Sequence, residues 1–376
     1  MIVLINGLQA GNRSGTGRYT TELVRCLPGL CPDIDVRVLW PRDVPQPSLS
    51  SGNYEAFQVV DVRRSLRRLY VDQVGLRKAR KRYSADVVHY PANIGPLIPM
   101  RNIVLTVHDA SYLIHPEWFR RDRALYYGHA VRHSARHAKR IIADSHAAAA
   151  DLHAILRIPM DRIDVIPLGV GEEFRPVDEE RQAAVKSWYK LPESFFLYVG
   201  TVEPRKNLVR LIEGWSRIAG ECPHDLVIAG RDGWKVKPVR AAAVSSPHAA
   251  RIHFPGFIAH DDLPAVLSAA RVFAWPSLYE GFGLPPLEAM ACGTPVVTSN
   301  ASSLPEVVGD AALQVHPERV EDLAAAMFQA AVDDTLRASL KTKGLTRAAT
   351  FTWDRTAKLT CDTYRLSGDK GLQPLV

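Results

Sequence analysis

The chain has 376 residues, 47% apolar, 23% charged and 8% aromatic, with 24 glycines, 26 prolines and a net charge of +7. These proportions suit a globular protein of two or three domains and exclude a fibre or a low-complexity chain. No apolar run approaches the roughly 20 residues of a membrane-spanning helix, and the N-terminus has neither the length nor the basic start of a signal peptide. The cysteines (Cys26, Cys31, Cys222, Cys292, Cys361) are scattered, odd in number and form no C-x-x-C pair. They therefore point away from disulfides and zinc, and towards a reducing, cytoplasmic compartment.

The charge is uneven. Residues 1–172 hold 24 Lys/Arg against 16 Asp/Glu, whereas the remainder holds 23 against 24. The basic surplus is densest at Arg63, Arg64, Arg67 and Arg68, and again at Arg77, Lys78, Arg80, Lys81 and Arg82. Such a patch attracts phosphate, whether of nucleic acid, lipid or substrate.

In chain order, residues 2–5 read as a buried strand. A glycine-bearing loop follows, with Gly15, Thr16 and Gly17, and then a helix from near Arg18 that turns Leu23, Val24 and Leu27 inward. Residues 36–40, 85–90, 103–107 and 140–143 are further short apolar runs, with helical stretches between most of them. The alternation restarts after a Pro- and charge-rich stretch, residues 167–190, with strands at 195–199, 226–229, 252–254, 272–275, 295–298 and 311–315. Short apolar strands alternating with helices predict an α/β protein with parallel sheets covered on both faces. Two such series predict two doubly wound domains whose sheets face across a cleft. Ligands in such folds lie beyond the carboxyl ends of the strands.

Four loops hold candidate chemistry. Residues 277–288 follow the strand 272–275 and include Glu280, Gly281, Phe282, Gly283, Leu284 and Glu288. Pro285 and Pro286 suit the first turn of a helix, and glycines ahead of it let backbone N–H groups meet an anion. Two carboxylates eight residues apart can face one pocket, where a carboxylate accepts both hydroxyls of a ribose. Residues 200–207 follow the strand 195–199 and present Arg205 and Lys206, cations suited to a diphosphate. His108 and Asp109 follow the strand 103–107. The turn Gly15–Thr16–Gly17 lacks the third glycine and the acidic partner of a dinucleotide fingerprint, so a nicotinamide site is disfavoured. Asp261-Asp262 reads as a helix cap rather than a metal pair, and no metal site is expected.

These residues resemble the retaining glycosyltransferases of family 4, which have the GT-B fold. Glu280 to Glu288 is similar to that family's E-x7-E signature, and residues 198–208 to its phosphate loop. Pro255-Gly256-Phe257, residues 288–297 and 304–312, Ala143-Asp144-Ser145 and residues 167–170 match other recurring pieces. The E-P-R-K-N form at 203–207 looks most like mannosyltransferases of bacterial surface polysaccharide and O-antigen assembly.

The resemblance implies an N-terminal, acceptor-side domain of residues 1–170 with a returning helix at 354–376, and a donor-binding domain of residues 171–353. It implies a nucleotide-sugar donor, with GDP-mannose preferred and dTDP-rhamnose or a UDP-sugar as alternatives. Glu288 would bind the ribose, and Arg205 and Lys206 the diphosphate. Glu280 and the amides of Gly281, Phe282, Gly283 and Leu284 would meet the sugar and phosphate. His108 would contact the sugar near its anomeric carbon. Gly15, Thr16, Gly17, Asp109 and Ser145 would complete the donor site. Many members carry Gly-Arg where this chain has Gly200-Thr201, so Arg205 takes that role. Front-face attack, with the leaving phosphate deprotonating the acceptor, implies no dedicated base, no cofactor and no metal. Glu280→Ala is expected to abolish transfer and leave the fold intact.

The acceptor expected is a saccharide, free or linked to polyprenyl diphosphate. The arginine-rich stretch 63–82 fits two readings, a contact with anionic lipid at the inner face of the membrane or a solvated helix face that keeps the protein soluble. Two other functions fit parts of the sequence. A nucleotide-sugar epimerase shares the architecture but needs no acceptor. A nucleic-acid binder would use the basic half, yet that half has few stacking aromatics and no helix-turn-helix signature, so no nucleic-acid partner is expected.

Overall fold

Each apolar run named above forms a strand, and every strand pair is parallel. The computed structural model describes residues 1–12, 15–48, 52–59 and 70–368; Arg63, Arg64, Arg67 and Arg68 lie outside them. The chain divides into two units, residues 1–169 with 352–376, and residues 170–351.

In unit 1 the strands are β1 (Ile2–Asn6), β2 (Asp35–Pro41), β3 (Tyr54–Val59), β4 (Val87–Tyr90), β5 (Ile103–Val107), β6 (Arg140–Ala143) and β7 (Ile163–Val165). They lie in the order β3-β2-β1-β4-β5-β6-β7. Helices α1 (Gly15–Leu30), α2 (Leu76–Tyr83), α3 (Ser111–Ile114), α4 (Arg121–His137) and α5 (His146–Leu156) connect them. The register places Val3 between Val36 and Val87, all fully buried.

Unit 2 repeats the plan with β8 (Phe195–Val199), β9 (Asp225–Ala229), β10 (Ile252–Gly256), β11 (Val272–Trp275), β12 (Val296–Ser299) and β13 (Ala312–Val315). Their order is β10-β9-β8-β11-β12-β13. Its helices are α6 (Glu179–Tyr189), α7 (Leu208–Ile218), α8 (Lys237–Ser245), α9 (Leu263–Ala269), α10 (Leu284–Ala291), α11 (Leu304–Val308), α12 (Val320–Val332) and α13 (Asp334–Ala348). In each sheet the strand order reverses once, between β1 and β4 and between β8 and β11. At such a point the connections leave in opposite directions and open a crevice beyond the strand ends.

The last helix, α14 (Trp353–Ser367), belongs to unit 1. It packs along α1 and is tied by side-chain bonds. The Tyr364 hydroxyl lies 2.7 Å from His89 Nδ1, Thr363 Oγ1 donates to Asp164 at 2.9 Å, and Thr356 Oγ1 donates to the Pro167 carbonyl at 2.7 Å. A Cβ on Gly169 would lie 2.2 Å from the Trp353 nitrogen, so the chain crosses there only because residue 169 has no side chain.

The structure corrects several expectations. Cys31 and Cys361 form a disulfide, while Cys26, Cys222 and Cys292 are free and buried. A separation of 330 residues conceals the pair, which only the return of α14 brings together. Strands β3 and β7 carry no strong apolar run. Both are sheet edges, where one side needs no burial, and β7 places the polar Asp164 in its middle. Helix α1 starts at Gly15 rather than near Arg18. Asp262 stands at the N-cap of α9, but its side chain makes no cap bond; the carboxylate instead receives Arg181 and the Tyr189 hydroxyl of α6.

The disulfide links two ends of unit 1, so Cys361→Ser should lower stability by about 2–4 kcal/mol. Thermal melting with and without dithiothreitol reads this: the wild type should melt lower when reduced, and the variant should not respond. Equal melting of both states of the wild type would show that the bond is not part of the folded protein.

Candidate functional site

The loops after β8 and β11 meet at the reversal point of the second sheet. The first holds Glu203, Arg205, Lys206 and Asn207, and the second runs to Gly283, which precedes α10. Asn207 has a left-handed backbone (φ 60°) and donates from Nδ2 to the carbonyls of Pro276 (3.0 Å) and Pro317 (2.7 Å). The Leu278 N–H donates to the Arg205 carbonyl at 2.9 Å. Ser303 Oγ donates to the carbonyls of Glu280 and Phe282, and Ser302 Oγ to that of Glu280. The second loop is thus fixed from both sides.

Within this frame Glu280 bridges two cations. Its Oε2 accepts from Arg205 Nη1 and its Oε1 from Lys206 Nζ, each at 2.6 Å. Arg205 also donates to Glu203 Oε1 (3.0 Å) and the Tyr279 carbonyl (3.0 Å). Lys206, only 7% exposed, sits 4.4 Å from the centre of the Trp275 ring, which itself stacks on Tyr198. Such a cation over an aromatic face gains further electrostatic stabilisation. Burial alone would raise the Glu280 pKa, but Arg205 and Lys206 hold it down to about 2. Burial, reinforced by Arg205, lowers the Lys206 pKa against the pull of Glu280. The cluster carries two cations near two carboxylates, Glu280 and Glu203. Arg205 keeps part of its surface open, with 16% side-chain exposure.

Helix α10 begins at Leu284 directly behind this cluster. Its N-cap, Gly283, has φ 122°, a conformation that disfavours a side chain, and no side-chain cap satisfies the first turn. Prolines at the helix start remove donors from that turn, and the remaining N–H groups with the helix dipole favour an anion. Glu288, 4% exposed, lies on the same helix. Glu280, Gly281, Phe282, Gly283, Leu284, Glu288, Arg205 and Lys206 are therefore gathered in unit 2, at the carboxyl ends of β8 and β11.

In unit 1 the other candidates stand at the carboxyl ends of neighbouring strands. His108 follows β5, and Asp144 follows β6. His108 Nδ1 lies 2.7 Å from Asp144 Oδ2 and Nε2 lies 3.1 Å from the Pro91 carbonyl, while its N–H donates to Asn93 Oδ1 at 2.8 Å. Both ring nitrogens therefore face acceptors, and only the imidazolium satisfies both. Burial alone would lower the His108 pKa; Asp144 and Pro91 outweigh it and raise it overall. The Tyr19 ring packs edge-on at 5.0 Å. Behind it a buried chain runs from Tyr19 through Thr106 and His89 to Tyr364. Burial, with the charge of His108 nearby, pushes the His89 pKa down to about 3, so that ring stays neutral.

Asp109 accepts from Ser111 N (3.1 Å) and Oγ (2.7 Å), shaping the start of α3. Ser145 Oγ caps α5 by accepting from Ala148 N. Gly15, Thr16 and Gly17 form the first turn of α1. A Cβ on Gly17 would fall 1.8 Å from the Asn12 carbonyl, so the approach there needs glycine. Among the described residues no group of three or more His, Cys, Asp or Glu is placed to hold a metal.

Sequence reasoning assigned no role to Asp144, Glu203, Asn207, Ser302 or Ser303. Asp144 had a usable signal, since it follows its strand as His108 follows β5. The serines had none, because their partners are backbone carbonyls some twenty residues away.

Two outcomes test this geometry. The expectation that loss of the Glu280 carboxylate leaves the fold intact is corrected by its burial between two cations: Glu280→Gln leaves Lys206 buried without its counter-ion and should cost about 3 kcal/mol, so it perturbs the fold as well as the chemistry. Adding Lys206→Met should recover part of the loss in urea unfolding. Unchanged stability of Glu280→Gln would remove the cluster from the account. For His108, a raised pKa contributes stability that is complete below about pH 6.5, its unfolded value, and fades as pH rises through the folded value. Asp144→Asn should abolish that slope and lower the His108 pKa read by NMR, with His108→Gln identifying the resonance. An unmoved resonance would dismiss Asp144 as its partner.

The chain matches the model of Glycosyltransferase Family 4 over residues 13–174 and that of Glycosyl transferases group 1 over residues 180–347. It is 34% identical over 284 residues to an O-antigen chain mannosyltransferase B of Escherichia coli, covering 75% of this chain and 74% of that protein. It is 37% identical over 237 residues to the serotype-specific mannosyltransferase WbdA of Escherichia coli, covering 60% of this chain and 29% of that longer protein. Among solved structures, sucrose-phosphate synthase of Thermosynechococcus elongatus superposes with a TM-score of 0.74 at 21% identity, over 97% of this chain and 98% of that one. The lipopolysaccharide-biosynthesis glycosyltransferase WaaG gives 0.70 at 17%, over 96% and 99%. Both likenesses show the fold: two Rossmann-like domains of the GT-B type.

Proposed function

The chain belongs to glycosyltransferase family 4 and is a hexosyltransferase; we propose that it transfers mannose, with retention, from GDP-mannose to a saccharide in cell-surface polysaccharide synthesis. The acceptor we assign is carried on polyprenyl diphosphate at the inner face of the membrane. The observation that carries this reading is the Arg205–Glu280–Lys206 cluster set against the N-terminus of α10 at the reversal point of a parallel sheet. The choice of mannose is supported by the names of relatives that align with most of the chain.

Negative charge grows on the diphosphate as the glycosidic bond breaks. Preorganised cations and helix-end amides aimed at that charge stabilise it without reorganising. In this reading Arg205 meets the diphosphate and Lys206 adds its field from beneath. The amides of residues 281–284 face phosphate and sugar, and Glu288 accepts the ribose hydroxyls. Glu280 keeps both cations in place and borders the sugar. The roles of His108, Asp109, Ser145 and Gly15–Gly17 towards the donor rest on the family resemblance. Protonated His108 spends both of its N–H donors on Asp144 and the Pro91 carbonyl, so a donor oxygen would have to replace the carbonyl at Nε2. The leaving phosphate oxygen takes the acceptor's proton, so no side chain is assigned as base, and no metal is assigned.

Thermal melting with GDP, UDP, ADP and dTDP, each with EDTA and then with magnesium, tests the donor. A nucleotide at about 100 times its Kd adds about 2.7 kcal/mol of stability. GDP alone should raise the melting temperature, equally in EDTA, and Glu288→Ala should lose the shift. GDP-mannose with a polyprenyl-diphosphate saccharide should then give a longer lipid-linked product. A shift with UDP or dTDP instead moves the donor to a UDP-sugar or dTDP-rhamnose. An isomerised sugar formed without acceptor would replace transfer by epimerisation.

A further inference from the structure

Unit 1 carries a groove of about 460 Å³ that none of the residues discussed above line. One wall is α3 with the turn that follows it, including Tyr112, Leu113 and Pro116; the other is a single face of α4. Arg121, Leu125, Gly128 and Arg132 recur on that face at helical spacing. A Cβ on Gly128 would lie 3.3 Å from Leu113 Cδ2, so glycine lets the two walls approach. Tyr112 stacks on Phe119 and Tyr127 at 4.1 and 4.6 Å, giving the groove a rigid aromatic side.

The charges are unbalanced. Among the described residues the guanidinium groups of Arg121 and Arg132 have neither a hydrogen bond nor an ion pair. Glu117 is the one acid among the residues lining the groove, and it bonds to His115; Asp122, on α4, pairs with Arg120. Residues 120–140 hold seven Lys/Arg, three His and one Asp.

The surroundings are apolar and exposed. Leu125 is 65% and Tyr126 55% exposed on α4, and Leu97 49% and Ile98 66% on the loop after β4. That loop is tied to α4 through Ser134 and His133, and to the basic helix α2 through Arg77, which donates to the Ile98 carbonyl. Bare apolar side chains flanked by two basic helices form a surface that favours an anionic, lipid-bearing phase.

We propose that this groove holds the phosphate head of an isoprenoid phosphate or diphosphate lipid, with Leu97, Ile98, Leu125 and Tyr126 entering the lipid around it. Arg121 and Arg132 supply forked donors for phosphate oxygens, and the aromatic wall receives the first isoprene units. A concave site of this volume selects one headgroup, whereas a flat basic surface would attract any anionic bilayer. The proposal rests on the reading of a lipid-linked acceptor.

The test is co-sedimentation with phosphatidylcholine vesicles containing either polyprenyl phosphate or phosphatidylglycerol at equal surface charge. The wild type should prefer polyprenyl phosphate. Arg121→Gln with Arg132→Gln should lose that preference, with binding weakened on the order of tenfold or more. Leu125→Ser with Tyr126→Ser should weaken binding to both vesicles. Equal binding of the wild type to both, or no effect of the arginine pair, overturns the groove as a headgroup site. Both variants alter exposed or half-exposed positions, and an unchanged nucleotide-induced melting shift verifies their fold. The arginine pair should raise the KM for a lipid-linked acceptor and leave that for GDP-mannose unchanged. An unchanged acceptor KM overturns the groove and leaves the glycosyltransferase reading standing. Transfer by the wild type to free saccharide alone overturns the lipid-linked reading itself, and the groove with it.

Discussion

A single buried carboxylate holds the second unit's site together. Glu280 lies on the loop after β11, while both of its cations lie on the loop after β8. Two adjacent cations at low dielectric repel one another; Glu203 pairs with Arg205, and Glu280 is the carboxylate that both cations share. Their attraction to Glu280 closes the two loops over the strand ends and fixes the direction in which α10 starts. Asn207, Ser302 and Ser303 secure the same loops through backbone carbonyls, so the geometry is set before any ligand arrives. Preorganisation of this kind is what stabilisation of a leaving diphosphate requires.

Unit 1 reaches a comparable rigidity by other means. Four of its buried polar side chains are neutral and joined in a chain from Tyr19 through Thr106 and His89 to Tyr364. The last member belongs to α14, nearly three hundred residues further along. The returning helix therefore completes the hydrogen bonds of a strand residue and, through Cys361, joins the loop that follows α1. His89 and His108 illustrate how surroundings separate two like side chains. Burial and the nearby charge of His108 keep the first neutral, whereas a carboxylate and a carbonyl hold the second as a cation.

The groove along α4 follows a different logic. Guanidinium groups without acidic partners beside exposed leucine, isoleucine and tyrosine contribute little to folding. Their arrangement is consistent with selection for a partner that is itself both anionic and apolar.

The sequence alone determined the two α/β series, because strands buried on both faces must be apolar throughout and parallel pairs need long crossovers. It also placed Glu280, Glu288, Arg205, Lys206 and His108 at strand ends, since loops there interrupt a strong periodic pattern. It missed β3 and β7, whose edge positions relax that pattern. The tertiary structure alone decided which of these charges neutralise one another, that Asp144 faces His108, that Cys31 meets Cys361, and that Arg121 and Arg132 line a groove with no side-chain partner among the described residues. These are long-range proximities, set by how the sheets order their strands and where the last helix returns, and spacing along the chain does not encode them.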